Sequence, residues 1–460
     1  VRASLPGARS RGDEPPPIAP PLGVLYLSAA VREFARLRHE ISVSDLGMDC
    51  EGEAEALGLI AGRRPDVLGI SANTVDEPTV HLLAKYSKII DPECRVVVGG
   101  PITTALKSIL LEKDPFIDIV ALHEGEHTLP ELLDTLAMGG DPAIVPGLIV
   151  RRPDGTPLMT PRRPFVADLD SLPFPDWDMI SLREYGDLCN CNEFPMRTDV
   201  YAPIFTSRGC PWRCIFCHNH FGRKARTRSA ANVLDEISML VERHGVGEIH
   251  IHDDIFNVDP DRLVEICDGI VGRGLKIHIA FPNGVRADRL TRTQLEKLRA
   301  AGCYHMCMAF ETVTPRLQRM LRKNLDVQKV LENARIASEL GIVTACFVML
   351  GFPTQTRDEI MDTIETVAES HFDFMRLFVS CPHPGTELFD LAVANGFDPS
   401  RIPPRTFEYD WARTAVNCTD LPDEEFRRLT NLCQERFLTN PARLERLRRI
   451  HERFGIPFKG

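Results

Sequence analysis

Cys210, Cys214 and Cys217 are spaced so that one short stretch of chain carries three sulfurs. They lie in Thr206-Ser207-Arg208-Gly209-Cys210-Pro211-Trp212-Arg213-Cys214-Ile215-Phe216-Cys217, a CxxxCxxC run with an aromatic residue before its last cysteine. Three thiolates on one loop can hold three irons of a cubane cluster and leave the fourth iron without a protein ligand. An iron left open in this way is a place where chemistry can happen. Structural zinc takes four ligands, usually as two separated pairs, and no matching second cysteine pair follows. His218 and His220 are near enough to complete a Cys3His zinc site, and that is the alternative.

Other polar residues fall where strands should end. Glu248-Ile249-His250-Ile251-His252-Asp253-Asp254 closes an apolar run with two carboxylates, and Met308-Ala309-Phe310-Glu311-Thr312 closes another with one. A carboxylate in such a place can hold a ligand ammonium by a charge-assisted hydrogen bond. His250, His252 and Asp254 share parity and would face one side of a regular strand, as substrate-handling groups, a second metal site or plain polar lining. Earlier in the chain, three further strand ends carry Ser71-Ala72-Asn73-Thr74, Gly99-Gly100-Pro101 and His123-Glu124-Gly125-Glu126. Glycines there let a backbone approach a large ligand closely. Cys189 and Cys191 could be a second metal or redox pair or two loop thiols. Cys94, Cys267, Cys346 and Cys433 read as buried thiols.

These residues need a scaffold, and the pattern supplies one. Residues 1–20 are rich in Pro, Arg and Gly and read as a flexible terminus. Over residues 21–140, helices at 22–37, 51–62, 77–90, 104–113 and 127–138 alternate with apolar strands at 41–45, 67–71, 96–98 and 117–122. Short strands buried on both faces and each followed by a helix predict a parallel, doubly wound sheet. Residues 141–200 change character, with a hairpin around Asp154-Gly155 and a proline-punctuated linker, so a domain boundary belongs there. From residue 201 a second series begins, with strands at 204–207, 249–253, 277–281, 306–311, 344–350 and 374–379. Helices at 231–243, 260–272, 292–300, 327–340 and 357–370 separate them. Six such units predict a partial (β/α)6 barrel over 201–390, with functional residues at the C-terminal ends of its strands. Residues 391–460 read as mainly helical, with the basic stretch 443–453 as a solvated helix face opposite Leu444, Leu447 and Ile450.

The chain has 460 residues, 43% of them hydrophobic, with a formal net charge of -11. That balance argues against a nucleic-acid partner, which leaves a basic footprint. The apolar runs are too short to span a bilayer. Fourteen cysteines without a secretory signal suit a reducing compartment, and the expected location is cytoplasmic.

The cysteine run and its sequel resemble the radical S-adenosylmethionine (radical SAM) enzymes at several points in order. Phe216 matches the aromatic residue near the adenine. Asp253-Asp254-Ile255-Phe256 resembles the DDxF of the second strand. Glu311 matches a fourth-strand glutamate that accepts from ribose hydroxyls. Leu350-Gly351-Phe352-Pro353 and Pro382-His383-Pro384-Gly385-Thr386-Glu387-Leu388 resemble the later loops. The resemblance implies a [4Fe-4S] cluster on Cys210, Cys214 and Cys217, with S-adenosylmethionine oriented by Asp253, Asp254 and Glu311. One electron through the cluster, from a donor such as flavodoxin or ferredoxin, then yields a 5′-deoxyadenosyl radical.

The first part, from Pro20-Pro21-Leu22-Gly23-Val24-Leu25-Tyr26-Leu27 onward, resembles the cobalamin-binding domain fused to one branch of that family. It implies a cobalamin cradle at Ser71, Asn73, Thr74, Gly99, Gly100, Pro101, Gly125 and Glu126. Two features depart from the pattern. No DxHxxG motif offers a histidine to cobalt, and residues 1–20 show no apolar first strand, so a domain kept only as a scaffold stays open as the alternative. The family reading is a cobalamin-dependent methyltransferase acting on an unactivated carbon of a small molecule or natural product. The alternatives are a radical cyclase, rearranging or oxidative enzyme without net methylation and, from another class, a non-catalytic iron–sulfur or zinc redox or cobalamin sensor.

Overall fold

Valine-rich runs such as Arg95–Gly99 have no polar face, so they must be covered by helices on both sides. The computed structural model describes residues 1–3, 19–73, 76–188, 196–217, 219–382, 386–401 and 416–454. They group into two compact units, the first built mainly on residues up to 188 and the second mainly on residues from 196.

In the first unit β1 (Val67–Ser71), β2 (Arg95–Gly99) and β3 (Ile119–Ala121) run parallel. β4 (Leu148–Arg151) and β5 (Pro157–Met159) extend the same sheet as an antiparallel hairpin. Alternate residues of β2 enter opposite cores: Val96 and Val98 pack with Leu68, Ile70 and Leu83, whereas Val97 packs with Ile119, Leu132 and Leu148.

Two expectations change here. Residues 1–20 showed no strand, yet Arg2 pairs in parallel with both Ser71 and Asp45. The Ala3 amide donates to the Ser71 carbonyl at 3.0 Å, and the Ser71 amide donates to Val1 at 2.8 Å. Three residues are too few to carry a period, so backbone pairing alone reveals them. The strand expected at 41–45 is reduced to this contact at Asp45, held by the Arg2–Asp45 ion pair and the Tyr185 hydroxyl at 2.6 Å. The spatial order is therefore residue 45, residues 1–3, β1, β2, β3. That is the doubly wound order 2-1-3-4-5, with its switch point between residues 1–3 and β1.

In the second unit β6 (Tyr201–Ile204), β9 (Glu248–Ile251), β10 (His278–Val285), β11 (Cys303–Glu311), β12 (Val343–Leu350) and β13 (Phe374–Val379) form one sheet in chain order. All its pairings are parallel, and β6 and β13 are its two edges. The two short strands between, β7 (Ser207–Arg208) and β8 (Arg226–Thr227), make an antiparallel ribbon. The crossover helices start where side chains satisfy their free amides: Ser229 caps Ala230–His244, Asp259 caps Pro260–Gly272, and capping boxes open Arg292–Ala300 and Arg357–Glu369.

The basic C-terminal helix, Pro441–Phe454, is not simply a solvated face. Arg443 is buried and donates to the carbonyls of Phe437 and Asp373, at 2.6 and 3.0 Å. Arg446 reaches Ser370, Phe372 and Asp373. Guanidinium groups present donors enough for several free carbonyls at once, which a count of charges does not show. Ile450 packs with Ala280, Tyr304 and Val343, against the start of the barrel strands.

Candidate active site

The cysteine loop leaves the sheet after β6, is bracketed by the β7–β8 ribbon, and is tied down at several points. Gly209 opens it with φ at +84°, a backbone state that suits glycine. The Ile215 amide donates to Leu321 at 3.1 Å, and the Leu388 amide donates to Ile215 at 3.0 Å. The Ile215 side chain is buried among Leu317, Leu321, Phe352 and Leu388. With the middle of the loop fixed, Cys210 and Cys214 are half-buried, Cys217 is exposed, and all three thiols are free. Among the described residues no three Cys, His or carboxylate groups converge on a single ion. A cubane spreads its thiolates over three different irons and asks for no such convergence. Free thiols on a pinned, partly open loop therefore fit the cluster.

One of the three thiols is poised toward thiolate. Cys214 is pulled down to about 7, chiefly by the hydrogen bond from Cys217 and further by the Lys323 and Arg286 cations. Burial raises Cys210, and donating to Cys214 raises Cys217. Arg286 stacks 4.5 Å from the Trp212 ring and is held by Asp288 and by the Lys323 carbonyl.

The paired carboxylates were given one role by the sequence, and the structure separates them. Asp253 is buried, and its oxygens accept from the Thr206 amide, the Thr206 hydroxyl and the Ser207 hydroxyl, each at 2.6 Å. It clamps the start of the cysteine loop, and these bonds take up most of its acceptor capacity. Asp254, the next residue, is exposed and accepts from the Gly209 amide at 2.9 Å. Its proton affinity is raised, first by partial desolvation within the loop and then by Asp253.

Glu311 closes β11 in the left-handed region, at φ +65°. For a non-glycine residue that conformation costs about 1–3 kcal/mol and marks functional positions. Gln318 stabilises the turn by donating to Phe310 and Thr312 carbonyls at 2.7 and 2.6 Å. The Glu311 carboxylate meets the Lys323 ammonium at 2.5 Å, both buried. Lys323 also lies 5.8 Å from the Phe216 ring. Cysteine loop, Phe216, Lys323 and Glu311 thus form one continuous polar site. Sequence reasoning missed Lys323, which stands in a charged stretch, Arg322-Lys323-Asn324, with nothing to mark it as buried.

His250 and His252 do face the same side of β9, with rings 6.4 Å apart and nearly parallel. His250 bonds Glu248 at 2.6 Å, and Glu248 also accepts from Tyr304 at 2.5 Å, a buried polar network toward the strand starts. Cys189, Cys191, His218 and residues 383–385 lie outside the described residues.

In the first unit the strand ends gather around the switch point. Gly100 has φ +85° and ψ -171°, a state nearly confined to glycine, and a Cβ there would lie 2.9 Å from the Ala72 carbonyl. Gly99 is different, since an added Cβ would meet nothing within 4 Å. The β2 end therefore leaves open space, beside half-buried Ser71 and Pro101 and exposed Asn73, as a large planar ligand requires. Thr74 lies outside the described residues. Gly125 and Glu126 have a different surround from Gly99: an added Cβ at Gly125 would sit 2.8 Å from Leu27 of the helix Leu22–Phe34, and Glu126 is buried. At the end of β3, His123 has φ +61° and lies edge-on to Phe165 at 5.2 Å.

Comparisons with known proteins bear on both units. The radical SAM superfamily model matches residues 204–367, and the B12 binding domain model matches residues 10–133. An uncharacterized methyltransferase of Pyrococcus horikoshii is 29% identical over 82% of this chain and 79% of its own length. An anaerobic magnesium-protoporphyrin IX monomethyl ester cyclase of Rubrivivax gelatinosus is 26% identical over 80% of this chain and 66% of its own. Among solved structures, the radical S-adenosylmethionine methyltransferase TsrM of Kitasatospora setae aligns over 95% of this chain and 97% of its own, with a TM-score of 0.65 and 17% identity. That last likeness concerns the fold alone. With a cysteine loop at a six-stranded barrel's edge and open space at the β2 end of a doubly wound sheet, this chain belongs to the radical SAM enzymes that carry a cobalamin-binding domain, and its cofactors are a [4Fe-4S] cluster, S-adenosylmethionine and cobalamin.

Proposed function

We propose that the protein methylates an unactivated carbon of a small-molecule or natural-product substrate. The observation that carries this is the shared site of three free thiols, Phe216, Lys323 and a strained Glu311 at the mouth of the barrel. When bound, the cluster with S-adenosylmethionine supplies a 5′-deoxyadenosyl radical and cobalamin supplies the methyl group. Everything else falls to side chains of this chain.

Cys210, Cys214 and Cys217 would hold the cluster, with Lys323 and Arg286 favouring the thiolate form of Cys214. Asp253 fixes the loop from which the cysteines hang, and Asp254 presents a carboxylate suited to an ammonium group. Glu311 is placed to accept from ribose hydroxyls, and Lys323 orients it until they arrive. Leu317, Leu321 and Phe352 make a dry floor beneath the loop, which limits quenching of a reactive intermediate by water. Ser71, Asn73, Gly99, Gly100 and Pro101 border the space for cobalamin. On this reading residues 21–140 bind cobalamin, 141–200 connect, 201–390 carry the radical chemistry and 391–460 cover it. On this reading electrons come from a small donor such as flavodoxin or ferredoxin, and a chain with this many cysteines works in a reducing compartment, the cytoplasm. Among the described residues no helix is long and apolar enough to cross a membrane.

The cyclase from Rubrivivax gelatinosus favours a second reading, radical chemistry without net methyl transfer. One experiment separates them. The anaerobically reconstituted protein is given cobalamin, dithionite, substrate extract and methyl-deuterated S-adenosylmethionine. Methylation predicts 5′-deoxyadenosine, S-adenosylhomocysteine and a product carrying the label. Deoxyadenosine without homocysteine or label supports the second reading, and neither nucleoside product overturns both.

A further inference from the structure

We propose, resting on the reading above, that the exposed face of the cysteine loop, with Arg213, Arg223 and Lys224, is the landing surface for a small acidic protein that carries one electron at a time. The sequence segregates charge at this place. Residues 200–234 hold Arg208, Arg213, Arg223, Lys224, Arg226 and Arg228 but no Asp or Glu, in a chain with 65 acidic residues and a net charge of -11. Overall composition does not account for a positive island in an acidic molecule.

The fold sorts these cations into two groups. Arg208, Arg226 and Arg228 are buried. Arg208 and Arg226 are paired positions of the β7–β8 ribbon, and Arg228 forms an ion pair with Glu236, so this group belongs to the base of the loop. Arg213, Arg223 and Lys224 are exposed, and among the described residues none of them makes an ion pair. They come from distant points of the loop, yet the Arg223 guanidinium donates to the Trp212 carbonyl at 2.7 Å and so brings residues 223 and 224 to residue 213. Arg213 stands between Cys210 and Cys214 in the chain, and the Arg223 charge is felt at the Cys210 thiol. Cys217 is itself exposed. One exposed carboxylate, Asp254, touches the loop at Gly209, where the Arg226 charge acts against it.

Exposure decides what such a surface is for. A small anion is gripped by a few polar groups converging in a concave, largely buried site. Exposed cations on long stems instead project a field into the surrounding water, over a Debye length of about 8 Å at physiological salt. That field speeds and orients an acidic partner, and the negative charge of the rest of the chain opposes docking elsewhere. The radical reading needs a visitor of this kind. One electron leaves the carrier protein for the cluster, with no bond made or broken and no proton moved, and the oxidised carrier then departs. Contacts of electron-transfer partners are small and weak, which suits attraction by exposed charge.

The test uses the full chain with its cluster reconstituted, mixed rapidly with a reduced acidic flavodoxin, a reduced acidic ferredoxin or the methyl viologen radical, a small cation. Bleaching of the cluster's visible absorbance gives the rate. At least one carrier protein should reduce the wild-type chain with a rate that falls about tenfold from low to high salt. Arg213→Gln with Lys224→Gln should slow that carrier about tenfold at low salt, and Arg213→Glu with Lys224→Glu should slow it further. Neither variant should slow reduction by viologen. Arg223 is kept in both because it also holds the loop. The proposal is overturned by a carrier rate that is unchanged in the iron-replete charge-reversed variant, by a wild-type rate indifferent to salt, by no reduction from either carrier, or by equal slowing of carrier and viologen. Deoxyadenosine release by the dithionite-reduced wild-type chain is scored separately: its absence defeats the radical reading whatever the carriers do.

Discussion

The strand ends of the two sheets are built by opposite means, each suited to the ligand proposed for it. In the barrel the rim is built from reactive or charged side chains, Cys214, Glu311, Lys323 and Asp254, each held by a specific partner. In the doubly wound sheet the rim is built from what is missing, a side chain at Gly99 and a Cβ at Gly100. The difference follows from the ligands. A cluster and a charged sulfonium nucleoside are held through bonds and charge, so single atoms must be placed. A corrin is large and flat, so space and backbone amides matter more than any one side chain. Mutations should therefore act on the barrel through chemistry and on the first sheet through shape.

The largest expected effect is on the cluster. Cys214→Ala should remove the visible thiolate-to-iron absorbance and reduce deoxyadenosine formation to background, while the buried thiol substitution Cys267→Ala leaves the absorbance in place. Next comes the clamp. Asp253→Asn keeps the volume but cannot accept from all three donors, and it should cost about 1–3 kcal/mol in urea unfolding as well as lowering iron per chain. Asp254→Asn loses one exposed contact and should stay within about 1 kcal/mol of wild type. If the two variants unfold alike, the division between them is wrong.

Glu311→Gln should leave iron content intact and weaken S-adenosylmethionine binding about tenfold, because it removes both the ribose acceptor and the charge that orients Lys323. Equal binding by the variant would move the ribose elsewhere. The smallest and most telling contrast lies in the first sheet. Gly100→Ala should destabilise its domain by about 1–3 kcal/mol through backbone strain, with or without cobalamin. Gly99→Ala should change stability by about 0.5 kcal/mol or less yet weaken hydroxocobalamin binding, since its new methyl enters only the ligand's space. Unaltered cobalamin binding by Gly99→Ala would relocate the cofactor.

Much of the architecture is legible in the sequence because the barrel strands are continuous apolar runs with capped helices between them. The strand Phe374–Val379 and the helices Pro260–Gly272 and Arg292–Ala300 fall where the pattern puts them. What escapes has a physical reason in each case. Val1–Ala3 is held by backbone hydrogen bonds, which leave no periodic trace. Lys323 and Arg443 look like surface charges until their carboxylate and carbonyl partners are brought from elsewhere in the chain. Asp253 and Asp254 are neighbours in sequence, but one is buried under the start of the cysteine loop and the other is exposed, a distinction set by the loop that Asp253 itself holds. Gly125 has the same composition signal as Gly99 and a different surround, set by Leu27.

The central claim is that Cys210, Cys214 and Cys217 leave one iron of the cluster free for S-adenosylmethionine. Electron paramagnetic resonance of the dithionite-reduced, reconstituted protein tests it most directly. Adding S-adenosylmethionine should shift the cluster's g values in the wild-type chain, and any of the three cysteine-to-alanine changes should remove the signal. A cluster spectrum indifferent to S-adenosylmethionine, or stoichiometric zinc in place of iron, would contradict it.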